Sequence, residues 1–213
     1  MGLDNYRRSV SEAKQASILK AGREIFLRDG FSRASVADIA RSADVSTATL
    51  YKHFSSKEDL FSAVVRNAAK DLGDYASLLT TETNVEEIFV TVTRAYLTMQ
   101  FERKSNELMR ILIAEASRNP KLVREAAEYM VERRLKSLQA VLETLIERGL
   151  LRPHDAALGA RLASGMIKEL FVWPALFDPD FTIPADADEQ IRAAMAVYIA
   201  RYGVQPHTGR TPD

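Results

Sequence analysis

Apolar residues recur three and four positions apart along almost all of this 213-residue chain, and no stretch alternates with period two, so the chain is committed to helices. Ile18, Ala21, Gly22, Ile25 and Phe26 trace one helical stripe. Gly30 is placed to stop it, because glycine enters the left-handed conformation without a Cβ penalty. Val36, Ile39, Ala40 and Ala43 repeat the pattern over two turns only. A second short helix is expected after Val45, and a longer one after Ser55-Ser56 carrying Leu60, Phe61, Val64, Val65, Ala68 and Leu72. Further helices are expected over 84–103, over 105–117, from Asn119-Pro120 to Arg148-Gly149, from Asp155 into Phe171-Val172-Trp173-Pro174, and over 186–202. The fold class is all-α with about nine helices, and the tail 203–213 is expected to fray. Ser35-x-x-Asp38 and Ser56-x-x-Asp59 fit capping boxes, in which hydroxyl and carboxylate satisfy each other's free amides.

Several chemistries are excluded at once. With no cysteine there is no disulfide, no thiolate zinc site and no cysteine nucleophile, and a reducing cytoplasm is the expected setting. Charges interrupt every apolar run, so no membrane span is expected. His53, His154 and His207 lie far apart without metal-binding helical spacing, and there is no glycine-rich phosphate loop or nucleophile elbow. No enzyme activity, catalytic residue, metal or cofactor is therefore expected. The formal net charge is zero, but it is unevenly spread: residues 1–70 hold 12 Lys and Arg against 8 Asp and Glu, and residues 71–213 hold 17 against 21. A basic head joined to an acidic body suggests an anionic partner for the head alone.

Within that head, Ser35–Phe54 reads as two short helices separated by Ala43-Asp44-Val45, a helix-turn-helix layout. Ala40 is the small residue where the helices cross, and Val36, Ile39, Val45 and Leu50 lock their angle. Ser46 caps the second helix. With Leu50 and Phe54 turned inward, Thr47, Ala48, Thr49, Tyr51, Lys52 and His53 surround its exposed sides, a set rich in donors for phosphates and base edges.

The stretch from Ile18 to Val65 resembles the DNA-binding domain of the tetracycline-repressor (TetR) family. The resemblance rests on Phe26-x-x-x-Gly30-Phe31, on Ser35-Val36-x-Asp38-Ile39-Ala40, and on Val45-Ser46-x-Ala48-Thr49-Leu50-Tyr51-x-His53-Phe54-x-Ser56-Lys57-Glu58-x-Leu60-Phe61. It implies an N-terminal three-helix DNA-binding domain over 1–56, a connecting helix 57–80, and a C-terminal helical effector-binding and dimerisation domain over 57–213. It further implies a homodimer on double-stranded operator DNA, with Ser35, Ser46, Thr47, Ala48, Thr49, Tyr51, Lys52, His53 and Lys57 at the DNA. In that implied interface Tyr51, His53 and Lys57 meet phosphates, and Thr47 and Lys52 meet bases. Two positions depart from the family pattern: Asp44 stands where glycine is frequent in the turn, and Gly22 falls inside the first helix where alanine is common.

The body is less explicit. The family resemblance implies an effector pocket among its middle helices for an unknown apolar or amphipathic small molecule. Met99, Met109, Arg110, Tyr129, Met130, Met166, Phe171 and Trp173 are the candidate lining, with Phe101, Phe177, Glu115 and His154 beside them. Ala156, Gly159, Ala160, Ala163, Ser164 and Gly165, then Ala193, Ala194, Ala196 and Ala200, give the last two long helices small faces suited to a four-helix dimer seam. The functional expectation is a transcriptional repressor released from its operator by a small molecule. The competing expectation is a helical ligand-binding or adaptor protein that has lost DNA binding.

Overall fold

The helical spacing is realised almost throughout. A computed structural model describes residues 2–70, 75–79, 81–102 and 104–204. Its helices are α1 (Gly2–Arg33), α2 (Val36–Ser42), α3 (Thr47–His53), α4 (Lys57–Lys70), α5 (Val85–Glu102), α6 (Ser105–Glu115), α7 (Pro120–Glu147), α8 (Ala156–Ile167), α9 (Trp173–Phe177) and α10 (Ala187–Tyr202). One turn of π-helix, Lys168–Val172, joins α8 to α9 as a single rod, which leaves nine helical rods among the described residues.

The ends of these helices follow from local chemistry. Gly30 breaks the regular conformation of α1 at φ 76°, so the last residues of that helix form a separate turn. Asp155 caps α8 by accepting from the Ala157 and Leu158 amides at 2.9 and 3.0 Å. The expected capping boxes are only half formed. Ser35 Oγ accepts from the Asp38 amide at 3.4 Å, but the Asp38 carboxylate turns to Arg41. Ser56 Oγ accepts from the Asp59 amide at 3.0 Å, and the Asp59 carboxylate reaches one residue further, to the Ser55 amide at 2.9 Å.

The chain divides into two units, 1–71 with 103–131, and 72–102 with 132–213. In the first, Phe26, Phe31 and Phe61 cluster with ring centroids 5.0 to 6.0 Å apart, and Ile18, Ile39, Leu50, Leu60 and Val65 close the core around them. The connecting helix was expected to run over 57–80. The structure gives α4 as Lys57–Lys70, and Tyr75–Leu78 is a 3-10 turn, while residues 71–74 and 80, Leu72 among them, lie outside the described residues. α4 belongs with the first unit because Leu60, Phe61 and Val64 are spent on its core. The Ser32 hydroxyl donates to the Glu115 carboxylate at 2.6 Å, which ties the end of α1 to α6.

In the second unit α5, α8 and α10 pack around Phe89, Leu97, Leu142, Phe171, Ile191 and Tyr198. Arg192 on α10 pairs with Glu87 at 2.6 Å and Glu86 at 3.4 Å on α5, and Arg94 pairs with Asp188, so the first turns of α10 are clamped to the first half of α5. The tail was expected to fray from residue 203. Gly203 instead bridges Leu151, and residues 205–213 lie outside the described residues. Among the described residues, no helix is long and apolar enough to cross a membrane, and no three His, Asp or Glu gather to hold a metal.

Candidate nucleic-acid interface

Seven residues make α3, too few to hold a helix in water by propensity alone. Its position is fixed from outside. Leu50 and Phe54 are buried beneath it, the Val45 amide donates back to the Ala40 carbonyl at 3.0 Å, and the Ser17 hydroxyl of α1 donates to the Ala43 carbonyl at 3.0 Å. Asp44 takes the left-handed conformation at φ 54°, as expected where glycine is frequent. Aspartate tolerates that region better than most residues, so the turn closes at modest strain.

With α3 fixed, Thr47, Ala48, Tyr51 and Lys52 are exposed and Thr49 and His53 are half-buried. The serines are already engaged. Ser46 Oγ accepts from the Thr49 amide at 3.1 Å and shares a hydrogen bond with the Thr49 hydroxyl at 2.9 Å, and Ser35 caps α2. No acidic residue lies within α3, and Lys52 and His53 occupy its last turn. Lys57 is also partly spent: its ammonium donates to the Ser32 and Ala34 carbonyls at 3.2 and 3.3 Å and lies 4.7 Å from the Phe31 ring centroid. An ammonium has three donors, so one is left for an anion.

The second unit holds a small cavity of about 40 Å³. It is lined by Tyr75, by Phe89, Val92, Thr93 and Tyr96 of α5, by Arg134 and Leu138 of α7, by Ala163, Ser164 and Ile167 of α8, and by Met195 of α10. None of the eight residues expected from the sequence lines it. Met109, Arg110, Tyr129 and Met130 fall in the first unit. Phe171 is wholly buried in packing, Met99 and Met166 are half-buried outside the cavity wall, and Trp173 is exposed. Flexible thioethers and rings suit a pocket wherever one exists, but they serve equally as core, as Met130 and Phe171 do here. Phe101 meets Phe181 in a tilted pair with ring centroids 6.0 Å apart, and Phe177 is exposed and stacked on Trp173. Glu115 is held by Ser32 and Asn119, which keep its carboxyl below the usual range against the opposing effect of burial. His154 bonds the Tyr198 hydroxyl at 2.6 Å and stacks on Tyr202.

A sequence signal for the cavity did exist. Arg134 interrupts the apolar stripe of α7, four residues after Met130 and four before Leu138. Burial raises the Tyr75 and Tyr96 phenols above their ordinary range, so both remain protonated donors.

Comparison with known proteins bears on both units. Residues 18–64 match the family model described as bacterial regulatory proteins, tetR family. Residues 87–204 match the one described as AefR-like transcriptional repressor, C-terminal domain. The HTH-type transcriptional regulator UidR of Escherichia coli (strain K12) is 41% identical over 63 residues, 30% of this chain and 32% of that protein, so the match spans about a third of that relative's length. A putative TetR-family transcriptional regulator from Mesorhizobium loti MAFF303099 superposes with a TM-score of 0.83 at 30% identity, covering 91% of this chain and 98% of the other. The flavonoid-responsive regulator FrrA superposes with a TM-score of 0.70 at 26% identity, over 91% and 98% of the two chains.

Proposed function

The chain belongs to the tetR family of bacterial regulatory proteins, and from that premise we propose that it is a DNA-binding transcriptional repressor that reads the major groove with α3 and leaves its operator when a small molecule occupies the second unit. The observation that carries this reading is the exposed face of α3, where Thr47, Ala48, Tyr51 and Lys52 stand free while Leu50 and Phe54 hold the helix from below.

Within the proposed interface the residues divide by what they are free to do. Ser35 and Ser46 set the starts of α2 and α3 and touch the DNA backbone only in addition, and Thr49 supports Ser46. Tyr51, His53 and the remaining proton of Lys57 serve phosphates, which positions the helix without reading sequence. Thr47 and Lys52, with Ala48 as an apolar contact, carry base preference.

A dimer completes the reading, because one short helix contacts too few base pairs to be selective. The seam is assigned to α8 and α10, whose outer faces leave Leu158, Leu162 and Val197 exposed beside the small residues Gly165, Ala193, Ala196 and Ala200. The effector is assigned to the cavity behind Tyr96 and Arg134 and is apolar or amphipathic, as most of the lining is apolar. FrrA is a flavonoid-responsive regulator, and that property of FrrA supports a small organic effector for this chain. Release requires that the effector favour a state whose two α3 helices no longer match successive major grooves.

The experiment is nuclease protection on DNA flanking the protein's own gene, at low salt and without effector. Two protected half-sites about 34–36 Å apart are expected. Absence of any protected site overturns the reading in favour of a ligand-binding or adaptor protein.

A further inference from the structure

The cavity of the second unit buries more hydrogen-bond donors than it satisfies. Tyr75 is 2% exposed and Tyr96 7% exposed, and neither hydroxyl has a partner among the described residues. Arg134 Nε is buried there too, also without a partner among them. The Arg134 guanidinium lies 6.0 Å from the Tyr96 ring centroid, close enough for attraction to the ring face, and its charge opposes the effect of burial on that phenol. Native interiors rarely retain three such groups side by side, and a site for a polar ligand is one explanation for them.

The local charge has one sign. No carboxylate pairs with Arg134 or Lys168 among the described residues. The Lys168 ammonium is pushed below its ordinary range by burial first, then by Arg134 and Arg161. A guanidinium can only be met by acceptors and each phenol can donate to one as well, and a guanidinium is met best by a planar or multi-oxygen anion. The rest of the wall, with Phe89, Leu138, Ile167 and Met195, offers apolar surface to whatever body carries that anion.

We propose that this cavity takes an organic monoanion, an amphipathic acid whose charged end meets Arg134, Tyr75 and Tyr96 and whose apolar body lies against Phe89, Ile167 and Met195. The proposal rests on the reading of this cavity as the effector site and adds the ligand's chemical class. A neutral molecule of the same shape leaves the guanidinium without a counter-charge and is the poorer ligand.

The test uses the full-length protein and two fluorescent probes that share their rings. 8-Anilinonaphthalene-1-sulfonate carries the anion, and N-phenyl-1-naphthylamine lacks it. The anionic probe is expected to bind once per subunit and to be displaced by decanoate at concentrations where decanol fails. Arg134→Gln weakens it about tenfold and changes binding of the neutral probe less than about twofold. Arg134→Lys retains most of the preference for the anion, and Tyr75→Phe and Tyr96→Phe each weaken the anionic probe by about threefold. Neutral-probe binding and thermal unfolding of each variant report whether the cavity is still folded. Equal binding of the two probes, equal displacement by decanoate and decanol, or an unchanged anion affinity in Arg134→Gln with the cavity intact overturns the proposal. Operator protection measured in parallel separates the two readings. Decanoate that binds through Arg134 without releasing DNA leaves the anion site standing and removes its effector role; release that ignores Arg134 removes the anion site alone.

Discussion

The two units use their polar side chains in opposite ways. In the first, Ser17, Ser35, Ser46, Ser56 and Lys57 are spent on backbone groups of neighbouring turns, and the outward face of α3 is what this internal work positions. In the second, Tyr75, Tyr96 and Arg134 are buried with donors left over. The difference teaches where each unit meets its ligand. A unit whose polar groups are satisfied on folding presents its chemistry outward, and one with donors left over presents it inward.

That contrast can be broken by experiment, most severely at the support of α3. Leu50 is wholly buried, and Leu50→Ala is expected to cost about 3 kcal/mol in denaturant unfolding and to abolish operator protection. A loss below about 1 kcal/mol would show that the exposed face of α3 does not depend on its buried anchor. In the second unit the matching probe is Gly159. A Cβ there would meet the Tyr198 hydroxyl and, at 2.9 Å, His154 Nε2, so Gly159→Ala should lower stability by about 1–3 kcal/mol, read by thermal unfolding. A neutral result would mean that the His154–Tyr198 pair shifts freely.

Smaller effects sharpen the picture of the first unit. Lys57→Met removes the ammonium from two carbonyls and should cost about 1 kcal/mol while reducing the salt slope of operator binding by about one. A lower stability with the slope intact restricts Lys57 to holding Ser32 and Ala34. Gly22 contrasts with Gly159: its added Cβ would find Leu60 and Val64 at 3.5 Å, ordinary contact distance, and the helix there is regular. Gly22→Ala should therefore stabilise the protein by about 0.5–1 kcal/mol, seen as a raised unfolding midpoint.

The same contrast explains what the sequence made legible. Helix positions came from periodicity, and most ends fell within a few residues of expectation because Ser46, Asp155, Gly30 and Gly149 act on their own neighbours. The helix-turn-helix was legible for the same reason, since its supports lie within one continuous stretch. The exception is informative: the helix expected to run on to residue 80 ends at Lys70, and Gly73, a residue that favours a helix end, follows three positions later in the sequence. The cavity is assembled from residues spread between Tyr75 and Met195, and no local spacing connects them. Searching by side-chain type led instead to Met130 and Phe171, which are core, and to Trp173, which is exposed. The sole charge on the inner stripe of this part of α7, Arg134, was the mark that composition concealed.

The short recognition helix has a consequence for how such a protein changes over generations. Everything that holds α3 in place, Leu50, Phe54, Ser46 and the Ser17 contact to the turn, lies beneath it or at its start. Thr47, Ala48, Tyr51 and Lys52 contribute little to stability, since substitutions at exposed positions away from caps and core usually shift it by less than about 0.5 kcal/mol. The letters that face outward can therefore be rewritten one at a time on an unchanged scaffold, and a lineage can acquire a new target site without passing through an unfolded ancestor.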